Sequence, residues 1–175
     1  MPSPLVIHLD TSVLLPLVDK KKLVSKEDEV RSLNNFHRSL LRGNQKIKVS
    51  IVVLGEFLNK AINSKERCED LIWELQVFIS QMKGRFSVYV PKFRDFGAHF
   101  AEVLQGALEC DDYLRDHPAD AIILVTAILD EEASCLYTFD TNLVFSTRIA
   151  DYVRNKRDEY GFKRLRIRPP PTSRR

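Results

Sequence analysis

The chain has 175 residues, of which 44% are hydrophobic and 29% charged; this predicts one soluble domain with a sizeable core. No apolar run approaches the roughly 20 residues needed to span a bilayer, and residues 5–9 are too short for a secretion signal. A cytoplasmic protein without a membrane partner is therefore expected. Cys68, Cys110 and Cys135 are far apart and form no C-x-x-C pair, which argues against a zinc ribbon and predicts free thiols in the core.

The net charge of +3 is unevenly spread. Nine basic residues lie from Arg154 onward, opposed only by Asp158 and Glu159, and the rest of the chain has an acidic surplus. A basic end beside an acidic body suits a protein that meets a phosphate backbone.

Strand and helix signals alternate along the chain. Residues 5–9 read as a first strand, ended by Asp10. A short helix follows from Thr11 or Ser12, limited by Pro16. Residues 19–29 are charged and read as a loop or helix start. Val30, Leu33, Phe36, His37, Leu40 and Leu41 share one helical face, which Gly43-Asn44 ends. A strand near 48–52 leads into a helix over about 53–63, with Glu56 one turn in. The next helix carries Cys68, Leu71, Ile72, Leu75, Phe78, Ile79 and Met82 and stops near Gly84.

The third strand is expected at 86–90, ended by Pro91. Phe93, Phe96, Phe100, Val103, Leu104, Ala107 and Leu108 mark a long amphipathic helix. Pro118 fits the first turn of a helix reaching Asp130. That helix is apolar on nearly every side, which predicts a central, buried position. A fourth strand at 135–139 ends at Asp140. A helix over 143–156 and an edge strand at 164–167 follow. The alternation predicts a three-layer α/β/α fold around a five-stranded, mostly parallel, twisted sheet. Residues 1–168 form the domain, and 169–175 form a basic, proline-rich tail held away from it.

Asp10, Glu56, Asp120 and Asp140 all stand where a strand hands over to a helix. In a parallel sheet those handovers share the carboxyl edge, where ligands bind. Each acid alone has a plain structural account. Asp10 and Asp140 suit N-caps, and Glu56 and Asp120 complement a helix dipole. Four together repel unless protonated or bridged by cations. The set therefore reads as a Mg²⁺ or Mn²⁺ site acting on a phosphate group. Ser12, Thr138 and Asn142 stand beside it and are expected to hold ligands or a phosphate oxygen. His8 is expected to pack in the core, His117 is a weaker candidate for substrate contact, and Asp116 reads as a cap.

The pattern excludes several rivals. No glycine lies between Asp10 and Gly43, so neither a dinucleotide fingerprint nor a Walker A loop follows the first strand. No G-x-S-x-G elbow occurs. Ser12 stands where a haloacid-dehalogenase-type phosphotransferase places its second aspartate.

Taken together, the segments resemble the PIN domain family of metal-dependent nucleases. The resemblance rests on Val6-Ile7-His8-Leu9-Asp10-Thr11-Ser12, on Glu56, on Asp120-Ala121-Ile122-Ile123 and on Tyr137-Thr138-Phe139-Asp140-Thr141-Asn142. In element order it covers residues 4–168. It implies a five-stranded parallel sheet, one or two Mg²⁺ or Mn²⁺ ions, endoribonuclease activity and a homodimer. Toxin-type members add an antitoxin-like protein partner. By the same resemblance Asp10, Glu56, Asp120 and Asp140 correspond to the catalytic, metal-holding quartet, and Ser12 and Thr138 to hydroxyl residues beside it. The chain departs from toxin-type members in its extra length at 19–29 and in its basic end. The competing reading is a PIN-like module that grips RNA or a protein without cutting.

Overall fold

The computed structural model describes residues 4–19, 27–64, 67–91 and 98–171. Strand β1 (Val6–Leu9) is buried along its whole length. It sits at the centre of a five-stranded sheet of order β3-β2-β1-β4-β5, in which every pair is parallel. A central parallel strand is covered on both faces, so its sequence is an apolar run rather than an alternation. The other strands are β2 (Lys46–Ser50), β3 (Phe86–Tyr89), β4 (Ala133–Tyr137) and β5 (Arg166–Arg168). Ile7 lies opposite Ile47 on one side and Cys135 on the other.

The helices are α1 (Thr11–Val18), α2 (Glu27–Arg42), α3 (Ile51–Asn63), α4 (Cys68–Gln81), α5 (Ala98–Cys110), α6 (Asp112–Asp116), α7 (Pro118–Leu129), α8 (Thr141–Phe145) and α9 (Thr147–Glu159). α7 is the central helix the sequence predicts. Ala121 and the whole stretch from Ile123 to Ile128 are buried in it, and Pro118 occupies its first turn. Gly106 in α5 allows close approach of α9, because a Cβ there would meet the Tyr152 hydroxyl at 2.7 Å.

Four boundaries differ from the sequence expectation, and capping explains two of them. Ser50 caps α3 by accepting from Val53 N–H at 3.2 Å, so Ile51 and Val52 enter the helix although β-branched residues favour strands. Ser146 likewise accepts from Ile149 N–H and divides the expected 143–156 helix into α8 and α9. β4 ends at Tyr137, which frees Thr138 and Phe139 for the loop beyond it. β5 begins at Arg166 rather than Arg164. Phe93, Phe96 and most of the charged 19–29 stretch lie outside the described residues.

Arg157 departs most from its sequence reading. It belongs to the basic end by number, yet it is fully buried. Its guanidinium donates to the carbonyls of Ile128 (3.0 Å), Asp130 (2.6 Å), Ala133 (2.8 Å) and Lys163 (2.7 Å). The Arg157 fork therefore fastens α9 to the turn between α7 and β4, a use suited to five donors in fixed geometry. The expected tail starts on the body: Pro170 is buried, and its carbonyl accepts from Ser32 Oγ at 3.4 Å, while Arg174 and Arg175, which the sequence reading holds away from the body, lie outside the described residues.

All three cysteines are free, but only Cys135 is buried; Cys68 and Cys110 are half-buried. Burial pushes the Cys110 thiol up to about 11, which keeps it protonated at neutral pH. Among the described residues no helix is long and apolar enough to cross a membrane.

Candidate active site

The carboxyl edge of the sheet is built from short handovers, each of which fixes an acid. β1 continues into Asp10, whose N–H donates to the Tyr137 carbonyl at 3.0 Å and extends the β1–β4 ladder by one residue. The Asp10 side chain then caps α1, accepting from Thr11 N–H at 2.6 Å. It also accepts from Ser12 Oγ at 2.5 Å and from Thr138 Oγ1 at 2.8 Å, and it is buried. Ser12 and Thr138 are thus brought onto Asp10. Ser12 Oγ in turn accepts from Phe139 N–H at 3.0 Å, which ties the β4 exit loop to α1.

Asp140 caps α8, accepting from the N–H groups of Asn142 (2.7 Å) and Leu143 (3.2 Å). Its own N–H donates to Thr138 Oγ1 at 2.9 Å, so one hydroxyl joins Asp10 to Asp140. The Asn142 side chain lies exposed at the rim, and only its backbone contributes to this network. Glu56, in the second turn of α3, accepts from the Thr11 hydroxyl. Asp120 stands in the first turn of α7.

Tyr113 links the last two acids. This α6 residue places its hydroxyl 2.6 Å from Asp120 Oδ2 and in contact with Asp140 Oδ2. The sequence reading missed it. Its only signal is a phenol two helical turns before Asp120, and nothing local marks it as polar machinery. Asp111 is the N-cap of that short helix, accepting from Tyr113 N–H at 3.0 Å; Asp116 is its last residue, and the N-cap position of α7 falls on His117 instead. His117 is exposed and stacks on Tyr113 with ring centroids 4.3 Å apart, so it borders the acids without touching them.

The electrostatics bind the four acids into one system. Burial raises the pKa of Asp120, the hydrogen bond from Tyr113 opposes this, and the charges of Asp10, Asp140 and Glu56 raise it further. Among the described residues no Lys, Arg or His forms an ion pair with any of the four. Nor, among those residues, is any group of three or more His, Cys, Asp or Glu side chains arranged to hold a metal ion. Hydroxyls satisfy these carboxylates in place of cations: Thr11 on Glu56, Ser12 and Thr138 on Asp10, and Tyr113 on Asp120 and Asp140.

No family model matches the chain, and no curated protein matches it. Among solved structures it is similar to the crystal structure of VapBC2 from Rickettsia felis bound to a DNA fragment from their promoter. The TM-score is 0.55 at 20% identity, over 83% of this chain and 96% of that one. The likeness is one of fold. It agrees with the five-stranded parallel α/β layout that the PIN resemblance implies.

Proposed function

We propose that the chain is a metal-dependent endoribonuclease of PIN type, with Asp10, Glu56, Asp120 and Asp140 as its Mg²⁺- or Mn²⁺-holding residues. The observation that carries the reading is the linkage of four carboxylates from four places in the fold by shared hydroxyls, Thr11 on Glu56, Ser12 and Thr138 on Asp10 and Tyr113 on both Asp120 and Asp140, with no cationic side chain paired to any of them among the described residues. Oxygen-only donors of this kind suit a hard divalent cation. Such an ion, when bound, would lower the pKa of a water molecule and polarise a phosphodiester. Asp10 is held in one orientation by three donors, Thr11 N–H, Ser12 and Thr138, an arrangement that keeps its remaining lone pairs aimed and preorganised. Tyr113 sets the separation of Asp120 and Asp140 and carries a proton close to both.

The same reading includes a homodimer and an antitoxin-like protein partner. Ile51, Leu58 and Ile62 expose an apolar line along α3, and Trp73 stands out from α4, which offers surface for such contacts. The alternative, a module that binds without cutting, draws support from the lack of a ready metal arrangement among the described residues. Cleavage of a fluorescent single-stranded RNA separates the two. The nuclease reading expects cleavage with Mg²⁺ or Mn²⁺, none in excess EDTA and none from Asp120→Asn. Cleavage that persists in EDTA, or in Asp120→Asn, would contradict it.

A further inference from the structure

Beside the acids, between α8–α9 and β5, runs a groove of about 300 Å³. Val153, Leu165 and Ile167 supply apolar lining, and Arg154, Arg164 and Arg166 supply charge. The groove begins at the acidic site itself: Leu143 lines it, and the Leu143 N–H donates to the Asp140 carboxylate. On the β5 side the Arg168 carbonyl accepts from the N–H of Thr138, whose hydroxyl lies on Asp10.

The arginines differ in their commitments. Arg168 is spent on Tyr137, donating to its hydroxyl at 2.8 Å and covering its ring. Arg154 pairs with Asp151 at 2.8 Å, but both side chains are more than half exposed, so that pair is weak. Arg164 and Arg166 are exposed and, among the described residues, have no carboxylate partner. At the α8 end, Phe145 follows the groove-lining Val144 and is 76% exposed, an unusual position for a phenyl ring.

We propose that this groove binds the nucleotide next to the cleaved phosphodiester of a single-stranded RNA, with Arg164 and Arg166 on its phosphates and Phe145 stacked on a base. The assignment rests on the nuclease reading for the position of the cleaved bond. Cationic rims with an exposed aromatic are how proteins hold unpaired strands. A duplex keeps its bases stacked inside and could not use either the aliphatic lining or Phe145. An acidic peptide would satisfy the arginines but would leave Phe145 without a use.

The test is fluorescence anisotropy of a short labelled oligoribonucleotide with the full chain in EDTA, where binding is read without cleavage. The Arg164→Ala/Arg166→Ala double variant should lose about 0.7 per arginine from the slope of log K against log salt. Arg164→Lys/Arg166→Lys should keep the slope. Phe145→Ala should weaken binding by about 5-fold or more with the slope intact. Circular dichroism of each variant guards against misfolding, which is not expected at exposed positions. An unchanged slope in the double alanine variant overturns the proposal, as does an equal loss on duplex RNA or preferential binding of an acidic peptide. Binding that depends on the arginines, without cleavage on adding Mn²⁺, would sink the nuclease reading alone. Cleavage that is indifferent to all three residues would sink the groove alone.

Discussion

α7 ends in an aspartate-bearing cluster at each terminus, and the two clusters are opposites. At the first turn, Asp120 faces other acids and, among the described residues, its side chain receives only a phenol hydroxyl. At the last, Asp130 is buried and receives His8 Nε2 and Lys48 Nζ, both at 2.8 Å, while Lys48 also reaches Glu132 at 3.0 Å. Burial pushes both carboxyls upward, but the hydrogen bonds from His8 and Lys48 and the Lys48 charge reverse that at Asp130 and hold it below the usual range. Burial alone therefore does not distinguish a structural acid from a functional one. The presence of a cationic side chain separates the two ends, and the proposed nuclease reading takes the acid left unpaired among the described residues, Asp120, as a holder of the metal.

The comparison breaks first where compensation is removed. Arg157→Met should cost roughly 3 kcal/mol or more in urea unfolding, because the buried carbonyls of Ile128, Asp130 and Ala133 lose their donor, as does the Lys163 carbonyl. A cost under about 1 kcal/mol would show that this end of α7 is not held as described. Asp130→Asn should cost roughly 2 kcal/mol, since Lys48 keeps Glu132 but loses its buried carboxylate and His8 loses its anionic partner.

At the other end the sign reverses. The folded pKa of Asp120 is raised, so whatever stability the group contributes is present below its ordinary value of 3.8 and is lost as pH rises through the folded value. At neutral pH the charge is a burden. Asp120→Asn should therefore raise stability by about 1 kcal/mol, or roughly 2–4 °C in Tm. A fall in Tm would mean that the charge at Asp120 is already compensated.

The smallest effect is a pH dependence. Burial lowers the pKa of His8 against the opposing pull of Asp130. A histidine that resists protonation when folded gives stability that is present above its ordinary value of 6.5 and lost as pH falls from there through the folded value. Wild type should lose stability over that window, and His8→Gln should show a flatter profile. Identical profiles would place the titration elsewhere.

The difference between the two ends also marks how far the sequence could be read. The strands and α7 were legible because central parallel strands and a helix buried on all sides leave unbroken apolar runs, as Val6–Leu9 and residues 121–128 show. Asp10, Glu56, Asp120 and Asp140 were visible as acids at element boundaries, although Asp10 and Asp140 are N-caps as well, so the two readings coexist. Tyr113 and the His8–Asp130–Lys48 cluster were not legible. Their partners lie far along the chain or on other elements, and pairings across a fold leave no local period or spacing. Arg157 was misread for the same reason: a basic residue among basic residues gives no sign that its partners are carbonyls.

The central claim is that the acids around Asp120 gather a cation, whereas those around Asp130 serve only the fold. Calorimetric titration of Mn²⁺ into wild type, Asp120→Asn and Asp130→Asn, at a temperature where all three are folded, tests it most directly. The account predicts that wild type and Asp130→Asn bind the ion alike and that Asp120→Asn loses most of the affinity. Equal binding by Asp120→Asn, or no saturable binding by wild type, would contradict it.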